Sequence, residues 1–253
     1  MRLVLPSNSS FEYFPNNTLT EYTVKLPQSL DLSKGRWEVG LQEVMFFKSW
    51  YNVKDASFTV YTKDNECTVT IPDGYYNRPQ RLIQVLNKFS RIKFSDLITF
   101  HYEDVSRQCI IDLKPMDYES IQFSPNLSNI LGKPDLNCAP YTVKYNGGRH
   151  GLFKSKSAVK LNTIFNLMIY TDITTESIVG DIESSLLRSV AVEDGHWKMQ
   201  CTNFNNVQYL PVSKQQISTI TIYIYTDYGE KVPFEDGRVV CTLDIRQTSP
   251  LYE

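Results

Sequence analysis

The stretch Ile217-Ser218-Thr219-Ile220-Thr221-Ile222-Tyr223-Ile224-Tyr225 decides the fold. In an extended chain Ile220, Ile222 and Ile224 share one face, and Thr219, Thr221, Tyr223 and Tyr225 share the other. That period of two belongs to a strand. β-Branched and aromatic residues fill nearly every position, so local preference agrees. Asp227-Tyr228-Gly229-Glu230 supplies turn chemistry. Val232 and Phe234 follow, then a second turn at Glu235-Asp236-Gly237. A second strand sets Val239, Cys241, Leu243 and Ile245 against Thr242, Asp244 and Arg246. Pro233 cannot donate to a ladder, so it marks an edge, a bulge or a break. These are the closing strands of an antiparallel β-sandwich.

Upstream, Leu3-Val4-Leu5 opens the chain. Residues 6–17 are polar, rich in Ser and Asn, and carry Phe11, Tyr13 and Phe14. They read as an arm whose aromatics dock. Tyr22, Val24 and Leu26 form a strand, and a turn follows at residues 31–35. Trp37, Val39 and Leu41 share a face, but the next apolar pair is Val44 and Phe46. The phase slips by one residue, which predicts a bulge at Gln42-Glu43. Gly40 suits a close backbone approach there. Residues 57–62 and 66–71 read as a hairpin, and so do 97–102 and 109–113. Between them lies the strongest helix signal: Asn77 as cap, Pro79 in the first turn, and Leu82, Val85, Leu86 and Phe89 at helical spacing. Residues 127–131 suit a short helix ending at Gly132. Residues 133–158, with Pro134, Pro140 and Gly147-Gly148-Arg149-His150-Gly151, read as a long insertion loop. Strand patterns return at 163–170 and 186–192. Many short strands with one good helix argue against a parallel α/β sheet. Eight strands in two sheets would make a jelly roll. Trp37, Val39, Leu41, Phe165, Leu167, Ile220, Ile222, Ile224 and Leu243 form the expected core.

The 253 residues are 42% hydrophobic and 13% aromatic, enough for one large β-domain or two small ones. No linker divides them, so residues 1–253 read as a single domain. Lys and Arg (26) balance Asp and Glu (28) at a net charge of −2, without the basic excess of a generic nucleic-acid binder. No apolar run approaches the roughly 18 residues of a membrane span. The opening residues are too short an apolar run for a signal peptide, so the chain is expected to stay inside the cell that makes it. Five cysteines, an odd count without Cys-x-x-Cys, read as buried reduced thiols rather than disulfides or a metal site. The Asn-x-Ser/Thr matches at Asn8, Asn16 and Asn126 are then chance matches.

Catalytic patterns are scarce. His101, His150 and His196 lie far apart and make no His-x-His metal pair. Gly147-Gly148-Arg149-His150-Gly151 lacks the Lys-Ser/Thr ending of a phosphate loop, and no Gly-x-Ser-x-Gly elbow occurs. Glu38 and Glu43 flank the expected bulge and read as solvated strand charges, ahead of a glycosidase pair. No enzyme activity, cofactor or metal is expected. Outward tyrosines suit either a subunit interface or a carbohydrate-stacking platform.

Several motifs recur in an order that carries a resemblance. They are Leu5-Pro6-Ser7-Asn8-Ser9-Ser10 with Asn16-Asn17-Thr18-Leu19, Trp37 to Val44 with Trp50-Tyr51-Asn52-Val53, and Gly74-Tyr75-Tyr76. Late in the chain come Leu186-Leu187-Arg188, Tyr209-x-Pro211-Val212, Gly229-x-x-Val232-Pro233-Phe234 and Thr242-Leu243-x-Ile245-Arg246. Together they resemble the minor capsid, or penton, protein of Polinton (Maverick) transposons and adintoviruses. Asp244 departs from that pattern, and residues 133–158 match none of it. The resemblance implies a single jelly roll forming homopentamers at the five-fold vertices of an icosahedral virion. It implies trimers of a double-jelly-roll major capsid protein as neighbours, and no direct nucleic-acid or membrane binding. Phe11, Tyr13, Phe14, Tyr223 and Tyr225 are the candidate interface residues. A carbohydrate-binding β-sandwich is the alternative reading, and a jelly-roll glycosidase a distant third.

Overall fold

The structure, a computed structural model, describes residues 1–115, 119–133, 142–144, 150–161, 163–193 and 195–248. In chain order the first elements are β1 (Arg2–Pro6), β2 (Glu21–Asp31), β3 (Trp37–Phe47), β4 (Ala56–Tyr61), β5 (Glu66–Ile71) and α1 (Pro79–Phe94). Next come β6 (Ile98–Glu103), β7 (Gln108–Leu113), β8 (Ser120–Phe123), α2 (Pro125–Ile130), β9 (Thr142–Lys144) and β10 (Gly151–Lys154). The last are β11 (Asn166–Thr171), β12 (Ser177–Val179), β13 (Ile182–Ser184), β14 (Leu186–Ala191), β15 (Met199–Asn203), β16 (Leu210–Pro211), β17 (Gln216–Thr226) and β18 (Val239–Gln247). The chain reads as one domain from sequence, yet its packing falls into two compact units. The first joins Met1–Trp50 to Ile164–Glu253, and the second is Tyr51–Thr163. The second unit is an insertion between β3 and β11, far longer than the loop expected at 133–158. Within that loop, residues 142–144 and 151–154 are strands, while residues 134–141 and 145–149 lie outside the described residues.

In the first unit, β1-β18-β3-β15 form one sheet, with β16 also pairing β3, and β14-β11-β17-β2 form the other. Numbering the eight main strands along the chain, the sheets run 1-8-3-6 and 5-4-7-2. That wrapped Greek-key order is a jelly roll. The core between the sheets holds Tyr22, Val39, Leu41, Val44, Phe46, Leu167, Ile169, Ile220, Ile222, Ile224, Cys241, Leu243 and Ile245. Thr242 faces Glu43 while Leu243 faces Leu41, so Gln42 is the extra residue of a bulge and the apolar phase resets inward after it. Gly40 is buried under the chain before β16: a Cβ there would lie 2.5 Å from the Gln208 carbonyl oxygen. Pro233 falls in the break between β17 and β18. Phe165 departs from expectation. It is 59% exposed at the margin of the sheet, one residue before β11, although its carbonyl still accepts the Val192 N–H at 2.8 Å. Trp37 is only half-buried at the core margin, its indole N–H donating to the Lys34 carbonyl at 3.0 Å.

The second unit carries the sheets β5-β4-β8-β9 and β10-β7-β6. Its own core is built on Phe58, Phe100, Phe123, Ile98, Ile111, Leu82 and Leu86. Helix α1 is capped by Arg78, without a side-chain bond, rather than by Asn77. Its buried stripe is Leu82, Ile83, Leu86, Ser90 and Phe94, rotated from the expected one so that Val85 and Phe89 lie only partly buried. Ser90 fits this stripe because its hydroxyl donates to the Ile98 carbonyl at 2.8 Å.

Candidate assembly surface

Strand parity places the site. With Ile220, Ile222 and Ile224 inward, Thr221, Tyr223 and Tyr225 stand on the outer face of β17. On β11 the inward row is Leu167, Ile169 and Thr171, which turns Met168 and Tyr170 outward. Register sets Tyr170 opposite Tyr223, and Met168 opposite Tyr225. Tyr170 and Tyr225 meet edge to face with ring centroids 5.8 Å apart, the geometry the aromatic quadrupole favours. Glu21 lies across from Tyr223 on β2 and binds Lys231 at 2.7 Å. Asp172 binds Lys214 at 2.7 Å and accepts the Thr221 N–H at 2.8 Å. Burial pushes the Tyr223 phenol above its ordinary pKa, and Asp172 and Glu21 add to the rise. Burial and Tyr225 do the same for Tyr170. The hydrogen bond to Glu21 raises Lys231. The rings are half-covered and framed by compensated charges.

Tyr223 and Tyr225 are thus brought together, and Tyr170 joins them. Sequence reasoning missed Tyr170, although the Leu167–Ile169 alternation already turned it outward. The other candidates sit on the loop before β2. Phe11 and Tyr13 are exposed, at 47% and 57%, and Phe14 is half-buried. The Lys25 ammonium lies 3.6 Å from the Tyr13 ring centroid, a cation–π contact. Lys25 shares the outer face of β2 with Glu21 but stands four residues along it, about 13 Å at strand rise. So the loop and the tyrosine cluster border one sheet face without merging. The expected arm lies on its own sandwich. Asn17 accepts the Thr23 N–H and donates to the Thr23 carbonyl, both at 2.9 Å, and the Ser10 hydroxyl accepts the Lys25 N–H at 3.0 Å.

On the opposite sheet Tyr209 donates to Asp244 at 2.7 Å, and Arg246 lies 3.5 Å from the Tyr209 ring centroid. This hydrogen bond is the main cause lowering the Asp244 pKa and raising that of Tyr209. Asp244, the residue that departs from the resembled pattern, has a defined role here. Glu38 and Glu43 are each held by their own arginine, Arg246 at 3.1 Å and Arg2 at 3.5 Å. His150 bonds Asp112 at 2.6 Å and His101 lies near Thr99. His196 packs on Trp197; burial, then Lys48, lower its pKa. Among the described residues no group of three or more His, Cys, Asp or Glu is placed to hold a metal ion. Cys67, Cys109, Cys201 and Cys241 are free thiols, and Cys138 lies outside the described residues. Among the described residues no helix is long and apolar enough to cross a membrane.

Strand order and outward tyrosines define the class: an antiparallel jelly-roll sandwich with an inserted second unit and an aromatic outer sheet face. No family model matches the chain, and no curated protein matches it either. Among solved structures, the chain is similar to the mavirus penton protein, with 10% identity over 98% of this chain and 99% of that one, at a TM-score of 0.49. It is similar to a chain of the Sputnik virophage, with 9% identity over 96% and 97%, at a TM-score of 0.44. Likeness at these scores bears on neither function nor partners.

Proposed function

We propose that this chain is a capsid subunit of the penton type. Five copies close a ring at a five-fold vertex of a virion assembled inside the cell, flanked by trimers of a double-jelly-roll major capsid protein. The ordered set of motifs shared with the Polinton and adintovirus penton proteins supports the reading and the number five. The observation that carries it is a jelly roll that turns Tyr170, Tyr223 and Tyr225 outward on one sheet. Tyrosine suits a surface wet in the free subunit and covered in the assembly, since it joins apolar area to a hydroxyl that tolerates water. A carbohydrate platform fits less well. Stacking a sugar needs an open ring face, whereas Tyr170 and Tyr225 are half-covered and packed on each other. The role requires no cofactor and no catalysis.

Native mass spectrometry over a concentration series tests this, together with negative-stain microscopy of the chain co-expressed with the neighbouring capsid protein. Five-chain rings, alone or at vertices, are expected. A stable two-fold dimer with Tyr223 and the residue 11–14 loop outside its interface would overturn the reading. So would glycan binding abolished by Tyr223→Ala.

A further inference from the structure

The outer face of the other sheet departs from the pattern of a solvated antiparallel strand. Such strands alternate apolar-in with polar-out, while strands covered on both faces run continuously apolar. β3 ends in Val44-Met45-Phe46-Phe47 and β18 opens with Val239-Val240-Cys241. Val44, Phe46, Val239 and Cys241 fill the core, so Met45, Phe47 and Val240 face outward. Register aligns them in rows: Pro6, Val240, Met45 and Cys201 cross the four strands, and Phe47 sits opposite Met199. Trp197 packs edge-on against Phe47 at 5.4 Å. Val4, Trp197 and Met199 are 53%, 49% and 50% exposed. The Pro6–Cys201 and Phe47–Met199 rows with Trp197 therefore make a continuous apolar patch, bordered by Val4 in the Thr242–Glu43 row; beyond it lie the Arg2–Glu43 and Arg246–Glu38 pairs. Contiguous exposed apolar surface of this kind marks an interaction site.

We infer that this patch is the receiving surface for the tyrosine face of a second copy of the same chain. The inference rests on the proposed ring. A cyclic ring needs a heterologous contact, in which one patch meets a different patch on the next copy, and the two outer faces of one sandwich are such a pair. Their chemistry matches. Met45 and Met199 offer sulfur to aromatic rings, a favourable contact, and the facing sheet offers Tyr170, Tyr223 and Tyr225. Both ends carry mixed charge, Lys198 and Arg238 beside Glu235 and Asp236 near Phe47, and Asp227 and Glu230 beside Lys231 near Tyr225, so no like-charge field opposes the contact. Pairing the apolar patch with itself would leave the tyrosines uncovered.

Two experiments decide it. Val4→Glu and Met199→Glu change exposed positions, so folding should survive, as checked by circular dichroism. Each should weaken self-association about tenfold or more, as should Tyr223→Glu. Mixing a Val4→Glu/Met199→Glu chain with a Tyr223→Glu/Tyr225→Glu chain should restore one contact only, giving one-to-one dimers that grow no further. In the second experiment, Tyr170→Cys, Tyr223→Cys and Tyr225→Cys are oxidised separately. At least one should cross-link to the native Cys201 of a neighbour, giving a ladder up to the closed ring, and Cys201→Ser should abolish it. Oxidised parent chain yielding a Cys201-to-Cys201 dimer would show the patch pairing with itself and overturn the inference. Pentamers indifferent to Val4→Glu and Met199→Glu would overturn it while leaving the ring intact. A parent chain that never assembles, alone or with its capsid neighbour, would sink the ring and this contact together.

Discussion

Replacing Gly40 by Ala sets two effects of opposite sign against each other. Gly40 is buried in the middle of β3 at ordinary backbone angles. A methyl group there narrows the unfolded ensemble, which alone would stabilise by about 0.4–1 kcal/mol. The methyl carbon, however, would stand 2.5 Å from the Gln208 carbonyl oxygen and 2.5 Å from Val207 Cγ1. The valine can rotate away; the carbonyl is backbone. It belongs to the segment that leads into β16, where Leu210 and Pro211 pair with Val39 and Glu38. Relieving the clash must push that segment off the sheet, an overpacking cost of about 1–3 kcal/mol. The clash outweighs the entropy gain, so a net loss of roughly 1–2 kcal/mol is expected. Urea unfolding read by tryptophan fluorescence measures it, with Gly74→Ala as the control. A Cβ at Gly74 meets nothing closer than 3.7 Å, so that variant should be neutral or slightly stabilised. If Gly40→Ala matches or exceeds the parent in stability, the close approach of residues 207–208 to β3 is wrong.

Other expectations follow from the same packing. Ile222→Ala removes a fully buried side chain from the sandwich core and should cost about 2–5 kcal/mol; a change near zero in urea unfolding would place that row outward. In native protein, alkylation should label the exposed Cys201 and spare Cys109 and Cys241, read by mass spectrometry after digestion. Burial pushes both hidden thiols up to about 12; since the folded value lies above the unfolded one, their stabilisation is complete below about pH 8.5 and is lost as pH rises toward 12. Asn17→Ala should cost about 1–2 kcal/mol through its lost hydrogen bonds and speed amide exchange at Thr23, whereas unchanged exchange would refute the edge role. Metal analysis of purified protein should find no stoichiometric ion, and about one zinc or iron per chain would contradict that.

The jelly roll was legible because its longest strands alternate cleanly. Ile220, Ile222 and Ile224 announce β17, and the slip after Leu41 announces the bulge at Gln42. Gly40 was legible as a close approach, though not what approaches. The boundary of the second unit was not, because the sequence around residues 50–52 and 161–165 has no Gly-, Ser- or Pro-rich linker composition. Its hairpins carry the same alternation as the sandwich strands, so pattern alone could not assign them to a separate core. Phe165 was misplaced because sequence parity continues past the end of β11, and where a strand's side chains cease to be covered is a long-range fact. Of the candidate surface, the tyrosines of β17 were readable from their isoleucine row. The apolar patch on β3 and β18 was hidden in plain runs, since Val44-Met45-Phe46-Phe47 reads as core wherever only one covered face is assumed.

The loop before β2 bears on how copies can meet. A jelly roll presents both edges and faces, and a free edge strand invites pairing with another chain. At β2 that route is closed from within. The Asn17 carboxamide mimics a peptide unit, taking both the N–H and the C=O of Thr23. Ser10 takes the N–H of Lys25, and Tyr13 covers the Lys25 side chain. An incoming strand would have to displace all of these contacts to gain a ladder of comparable bonds, so edge addition at β2 brings little net free energy. Covering the face breaks no ladder bond, and the apolar area of its tyrosines and Met168 gains from exclusion of water. If copies of this chain meet as proposed, this sheet offers its face rather than its β2 edge, because Ser10, Tyr13 and Asn17 of the loop guard that edge.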